Sequence, residues 1–350
     1  MTASSASDHT WEEPGAYLVS PGVFRIPLPL PGDGLRAVNV YAIQGDGGIT
    51  LVDAGWSRPA AWDALAAGLR LVGAELGDVR SVLVTHMHRD HFGQASAVRQ
   101  VSGATVVLGR GEQLSLEYIL DDSQGDRRAP WVARLRRSGA AVLIAELALD
   151  QRAVQSPRDS EGLWEMPDRW AGEGETIRAG DRDLVAIETP GHTRGHLTFV
   201  DPASRVLFAG DHVLPHITPS IGFEPPLVDG LPLADFLMSL MKVRDLAVDI
   251  VLPAHGAPFT GLAARVDELL AHHAARLTAS RAALAGGPRT AFEVARELPW
   301  TRRDRRYDEL DVFNRQLAVS ETAAHLDLLA SQGAVTVETV DGVRRYRVID

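Results

Sequence analysis

The chain has 350 residues, 45% apolar and 23% charged, a composition that supports a sizeable globular core and excludes disordered and collagen-like classes. It contains no cysteine. Disulfide frameworks, thiol nucleophiles, cysteine-type zinc fingers and iron–sulfur clusters are therefore excluded, and His, Asp and Glu are the strong metal ligands that remain. The net charge is −11, with Lys242 the sole lysine among 35 basic residues, and an acidic chain is not drawn as a whole to nucleic acid or to an anionic membrane.

In chain order, residues 1–15 are polar and acidic, and no apolar run approaches 18 residues; a cytoplasmic location without a membrane partner is expected. Short apolar runs punctuated by Pro and Gly between Val23 and Asp53 predict a meander of strands with a turn at residues 45–48. Ser57 and Pro59 open a helix, because Trp62, Leu65, Ala66, Leu69 and Val72 recur at helical spacing behind them. A buried strand over 81–85 follows. One helix is then expected, with Phe92, Ala95 and Val98 on its apolar face and a stop at Gly103, before a strand over 104–108. Strand, helix, strand is an α/β signature, and the opening meander points to mixed sheets.

Between about 110 and 174 regularity weakens, and Tyr118, Trp131, Trp164, Met166 and Trp170 stand among many charges, which predicts an inserted, partly helical cap. Strands are expected at 184–187, 197–200, 206–208 and 250–252, with a helix through Phe236, Leu237, Leu240 and Met241 before the last. A long helix over 262–284 ends at Gly286-Gly287-Pro288, a domain seam. Beyond it the pattern is a helix over 291–298, another over 317–332, and two strands around Asp341-Gly342. Two domains are expected, 16–262 carrying the cap at about 110–174, and 263–350.

The segment His86-Met87-His88-Arg89-Asp90-His91 places four metal-competent side chains within six residues after a buried strand. In extended backbone, alternate residues face one side, so His86 and His88 converge on one ion. Asp90 and His91, entering the helix, point at a neighbouring position. His192 in "TPGHTRGH", Asp211 in "FAGDHV" and His255 in "LPAHG" sit at strand ends beside Gly, which allows close backbone approach. Seven ligands are too many for a single zinc ion, whereas two ions sharing a carboxylate would use them all.

These motifs resemble the metallo-β-lactamase-fold hydrolases, whose pattern is His-x-His-x-Asp-His followed by a His, an Asp and a His on later loops. The resemblance covers roughly residues 19–276 and implies an αβ/βα four-layer sandwich. It implies a first metal site at His86, His88 and His192, a second at Asp90, His91 and His255, and Asp211 bridging both. The tail resembles the winged-helix segment appended to one branch of the superfamily. The implied cofactors are two Zn2+ ions per chain, with Mn2+, Fe2+ or Co2+ compatible with the same ligands. Zinc lowers the pKa of bound water from about 15.7 to near 7, so a hydroxide shared by the two ions is the expected nucleophile. Asp90 and Asp211 are the expected catalytic carboxylates. Redox branches lack some of these ligands, and the antibiotic-cleaving branches carry Cys or Ser where Asp211 stands, so hydrolysis of something other than a β-lactam is expected.

The remaining site candidates are less distinctive. His196, four residues after His192, and Asp53, at the end of "LVDAG", are expected to orient ligands by hydrogen bonding rather than to bind metal. Of His212 and His216, one is expected to line a substrate pocket, with His216 the choice. His272 and His273 lie on the long helix and read as solvated or packed. The tail from Gly286 to Asp350 holds ten Arg and eleven acidic residues, including Arg302, Arg303, Arg305 and Arg306, and Arg344, Arg345 and Arg347. It reads as a packing or dimerisation module, with nucleic-acid contact not favoured. The expected substrate is a small molecule with an ester-type bond, a thioester or lactone, because the Trp-bearing cap is not basic and a phosphodiester wants Arg or Lys along its approach. Phosphodiester or RNA cleavage is the alternative, and a metal-binding DNA-associated regulator the alternative from another class.

Overall fold

The computed structural model describes residues 10–30, 34–121, 129–149, 164–224, 230–301 and 304–349. Residues 122–128 and 150–163 of the expected cap, and Arg302 and Arg303 of the first arginine cluster, lie outside the described residues.

The chain opens with β1 (Tyr17–Ser20), β2 (Val23–Pro29), β3 (Ala37–Gly45) and β4 (Gly48–Val52), each antiparallel to the next. Then α1 (Pro59–Leu71) crosses to β5 (Val79–Leu83), and α2 (Arg89–Phe92) with α3 (Ala95–Ser102) crosses to β6 (Thr105–Gly109). Both crossovers lay the new strand parallel to the last, as a helical connection requires. Three helices, α4 (Gln113–Leu120), α5 (Ala129–Arg137) and α6 (Ala141–Leu149), precede β7 (Arg169–Ala171), which pairs with β6 and completes a seven-stranded sheet. The second sheet contains β8 (Thr176–Ala179), β9 (Arg182–Glu188), β10 (Leu197–Asp201) and β11 (Val206–Gly210); after α7 (Pro232–Arg244), β12 (Ile250–Pro253) joins it parallel to β11. The chain continues through α8 (Leu262–Ala282), α9 (Ala291–Ala295) and α10 (Val312–Ser331) to a hairpin of β13 (Val335–Val340) and β14 (Val343–Val348).

Strand alternation builds the layers. Tyr41, Ile43, Val52, Leu83 and Val107 of the first sheet pack against Leu184, Phe199, Phe208 and Leu252 of the second. The opposite face of the first sheet, with Val40, Leu51, Val82 and Val106, lies under Leu65 and Leu69 of α1 and Val98 of α3. The outer face of the second, with Leu207, Ala209 and Val251, lies under Phe236 and Leu240 of α7 and Val266 and Leu269 of α8. The order is helix, sheet, sheet, helix. Central strands are thus buried on both faces, which is why they read as continuous apolar runs.

A further core forms around the C-terminal segment. Leu284, Val294, Trp300, Val319, Leu326 and Tyr346 bury one another together with Leu135 of α5 and Leu143 of α6. The cap helices α5 and α6 therefore dock on the C-terminal segment. Helix α8 spans both regions, since Leu277 packs against the second sheet's core and against this one. Among the described residues no helix is long and apolar enough to cross a membrane.

Several local expectations are corrected. The single helix expected from Phe92 onward is two, because Gln94 turns out of the helix: its N–H donates to Gly55 O (3.1 Å) and its side-chain amide to Ala54 O (2.6 Å). The residue flanking α1 is Arg58 rather than Ser57, and its side chain makes no capping bond. Helix α10 begins at Val312, five residues before the apolar pattern, because the Asp311 carboxylate accepts the N–H of Asn314 at 2.8 Å. The cap's tryptophans pack against neighbouring side chains. Trp164 stacks on Phe92 with ring centroids 5.5 Å apart, Trp131 lies 4.2 Å from Phe223, and Trp170 packs on the first core.

Candidate metal centre

The expected ligands stand at strand ends, in the turn between β9 and β10, and on α2, which carries Asp90 and His91. Asp53 follows β4, His86 follows β5, Asp211 follows β11, His255 follows β12, and His192 lies between β9 and β10. The parallel pairs β4–β5 and β11–β12 open their C-terminal ends at one edge of the sandwich, the position where α/β sheets collect functional loops.

His192 Nε2 lies 3.2 Å from His86 Nε2 and 3.0 Å from His88 Nδ1, so three imidazole nitrogens face one point. Beside them, His255 Nε2 is 3.4 Å from Asp90 Oδ2, and His91 Nε2 is 3.5 Å from the same oxygen. Asp211 lies between. Its Oδ2 is 3.4 Å from His192 Nε2, while its Oδ1 is 3.4 Å from His255 Nε2 and 3.7 Å from His91 Nε2. All seven residues fall into three overlapping groups of donor atoms, each within 4.8 Å and able to hold a metal ion.

The far sides of the rings are anchored. Nδ1 of His91 is 2.9 Å from Asp53 Oδ2, Nδ1 of His192 is 2.7 Å from Ser220 O, Nδ1 of His255 is 2.8 Å from Ala37 O, and Nδ1 of His86 is 3.0 Å from Thr85 Oγ1. Each anchor selects the tautomer that leaves Nε2 with its lone pair turned inward, as a ligating histidine requires. Asp53 also accepts from the Thr85 N–H (2.8 Å) and hydroxyl (3.0 Å), which ties β4 to the histidine motif. His196 binds no group of the cluster from inside. Its Nε2 accepts the Asp211 N–H at 3.1 Å, and its Nδ1 lies 2.8 Å from Thr189 Oγ1.

The donor set fits a cation. His91 Nε2, His255 Nε2 and Asp211 Oδ1 are buried and have no hydrogen-bond partner, an arrangement that costs free energy unless something positive lies between them. The titration directions agree. Burial alone would lower His91 and His255, yet the carboxylates of Asp90 and Asp211 push both up; burial would raise Asp90, yet His91 and His255 hold it well below the usual carboxylate range. Burial, the largest influence on both rings, brings His88 down to about 3 and His192 to about 4, so these rings are neutral and ready to ligate.

A polar network behind the motif escaped the sequence reading. Buried Glu112 accepts from the Thr193 hydroxyl, next to His192, and burial pushes its carboxyl well above the ordinary range. Glu224 accepts the Arg194 N–H (2.8 Å), one Arg194 guanidinium N–H (3.0 Å) and the Ser115 hydroxyl. The available signal was glycine. A Cβ on Gly195 would collide with the backbone N of Glu112, so the cap's first turn and the His192 loop pack backbone to backbone. His216 is exposed and stands outside the three donor groups. His212 is buried with its ring edge-on to Phe236, and His273 is buried beside His325, Nδ1 to Nε2 3.2 Å.

Two sheets between helix layers, with a His/Asp centre at their shared edge, define a metal-dependent hydrolase. The chain belongs to the metallo-beta-lactamase superfamily, whose profile matches residues 33–255. It is 29% identical over 322 residues to the probable metallo-hydrolase YqjP of Bacillus subtilis, covering 89% of this chain and 92% of that one. It is 27% identical over 248 residues to the acyl-coenzyme A thioesterase MBLAC2 of Gallus gallus, covering 67% and 77%. The crystal structure of the metallo-beta-lactamase family protein TTHA1429 from Thermus thermophilus superposes with a TM-score of 0.80 at 30% identity, over 95% of this chain and 100% of that one.

Proposed function

We propose that the centre holds two zinc ions and hydrolyses an acyl thioester. The observation that carries this reading is Asp211, whose two oxygens lie 3.4 Å from ligand nitrogens on opposite sides, Oδ2 toward His192 and Oδ1 toward His255. His86, His88 and His192 would hold one ion, Asp90, His91 and His255 the other, and imidazole with carboxylate is a donor set that zinc accepts. Bound there, divalent ions supply Lewis acidity toward the acyl oxygen and a water acidic enough to attack near neutral pH.

The residues do the rest. Asp90, held well below the ordinary carboxylate range by His91 and His255, stays ionised and presents a fixed negative charge. Asp53, Thr85, Ser220 and Ala37 keep the rings aimed. In the net reaction water oxygen adds to the acyl carbon, the C–S bond breaks, and the water's protons are shared between a carboxylic acid and a thiol. A thiol pKa of about 8.5 lets sulfur leave without a strong acid. The name of the MBLAC2 relative, an acyl-coenzyme A thioesterase, supports a thioester over a lactone.

One observation favours a second reading, phosphodiester cleavage. The expectation that the approach lacks arginine does not hold, since Arg134, Arg137 and Arg194 line a cavity that reaches His192. Parallel assays on an acyl thioester, a lactone and bis-p-nitrophenyl phosphate separate the readings. A metal-dependent rate on the thioester is expected; a rate on the phosphate alone would overturn the proposal.

A further inference from the structure

A cavity of about 260 Å³ lies between the His192 loop, cap helix α5 and the C-terminal segment. Its walls carry four guanidinium groups, Arg134 and Arg137 from α5, Arg194 from the His192 loop and Arg344 from β14. Two are already held. Arg344 forks onto Asp327 (2.7 and 2.9 Å), which also accepts the Tyr346 hydroxyl (2.7 Å), and Arg194 is paired with Glu224 at 3.0 Å.

Arg134 is different. Among the described residues no carboxylate lies within ion-pair distance of it; its one close partner is the Trp131 ring, 5.5 Å to the centroid. Burial, with Arg194 nearby, brings its guanidinium down to about 10. A cation without a counter-ion, beside three more, costs free energy that an incoming anion would recover. The acids present do not supply it, because Asp327 is committed to Arg344 and Glu224 to Arg194, and burial pushes Asp235 up.

We propose that this cavity binds a phosphoryl group on the thiol arm of the substrate, with Arg134 as the free ligand and the C-terminal segment as its outer wall. The proposal rests on the thioesterase reading above. Guanidinium matches phosphate by paired donors, and the acyl half of a thioester offers nothing for four cations. The volume suits an arm rather than a whole drug-sized molecule, and the wall containing His192 joins the arm's seat to the centre where the C–S bond would break. The two docked arginines fix the walls; Arg134 makes the contact that the free protein lacks.

Calorimetric titration of the wild type and Arg134→Gln with coenzyme A, with pantetheine, which has the same thiol arm without phosphate on it, and with inorganic phosphate tests the proposal. Coenzyme A is expected to bind the wild type at least about tenfold more tightly than pantetheine, and Arg134→Gln is expected to erase most of that advantage, the scale of one charge-assisted pair. Equal affinities for coenzyme A and pantetheine, an unchanged coenzyme A affinity in Arg134→Gln, inorganic phosphate binding as tightly as coenzyme A, or an RNA oligomer binding more tightly would each overturn it. If Arg134→Gln does not fold, the wild-type comparison decides. Arg134-dependent binding of coenzyme A without hydrolysis of acyl-coenzyme A would sink the reaction and leave the cavity assignment standing. Hydrolysis with a KM untouched by Arg134→Gln would do the reverse.

Discussion

Asp53 Oδ2 lies 2.9 Å from His91 Nδ1, and the same carboxylate receives the backbone N–H of Thr85 at 2.8 Å. One side chain thus fixes both the aim of a candidate ligand and the start of the motif that carries three others. Asp53 has a φ of 63°, a left-handed conformation that Asn also tolerates. Asp53→Asn should therefore fold while losing the charge behind His91. A metal affinity about 10- to 100-fold weaker is expected, the usual cost of removing such a partner. Competition with a chromophoric chelator measures it, and wild-type affinity would show that Asp53 does not orient His91.

Gly210 delivers Asp211 from the end of β11. Its φ is 52°, and a Cβ there would stand 2.7 Å from His196 Nε2 and 2.8 Å from Thr85. Gly210→Ala should destabilise the protein by about 1–3 kcal/mol through strain and displace the Asp211 N–H from its acceptor. Thermal melting checks the first effect, and hydrolysis that survives intact would speak against the second.

The layer between the sheets supports the same edge. Phe208 is fully buried, with the Tyr41 ring edge-on at 5.6 Å. Phe208→Ala is expected to cost about 3–5 kcal/mol, read from denaturant midpoints; a loss under about 1 kcal/mol would mean that the two sheets are not one packed unit.

Stability should fall with acid at the join of α8 and α10. Burial brings His273 down to about 3 and His325 to about 4, each aided by neighbouring positive charge. Unfolded histidine titrates near 6.5, so the unfolded chain takes up protons first, and this contribution is present above about 6.5 and lost as pH falls toward 4. Melting temperature should decline through that window. His273→Gln together with His325→Gln should flatten the decline, and an unaltered slope would place the acid sensitivity elsewhere.

Most of the fold and site was legible because the relevant signals are local. The run from His86 to His91 needs one strand end and one helix start, and Gly-flanked His192, Asp211 and His255 announce turns. What escaped was set by contacts distant in sequence. Strand β7 has three residues and exists because β6 offers it an edge; Gln94 breaks a helix to reach Ala54; Glu112 and Glu224 look like surface acids until Thr193 and Arg194 bury them. The cap was read by its tryptophans, whereas its arginines face the cavity, since side-chain direction on α5 depends on its docking to the C-terminal segment.

Elemental analysis of metal per chain, in purified wild type and in Asp211→Ala, bears most directly on a carboxylate shared by two ions. About two equivalents in the wild type, falling toward one in Asp211→Ala with hydrolysis lost, is the expected result. Two tightly held equivalents in both proteins, or one in the wild type, would contradict it.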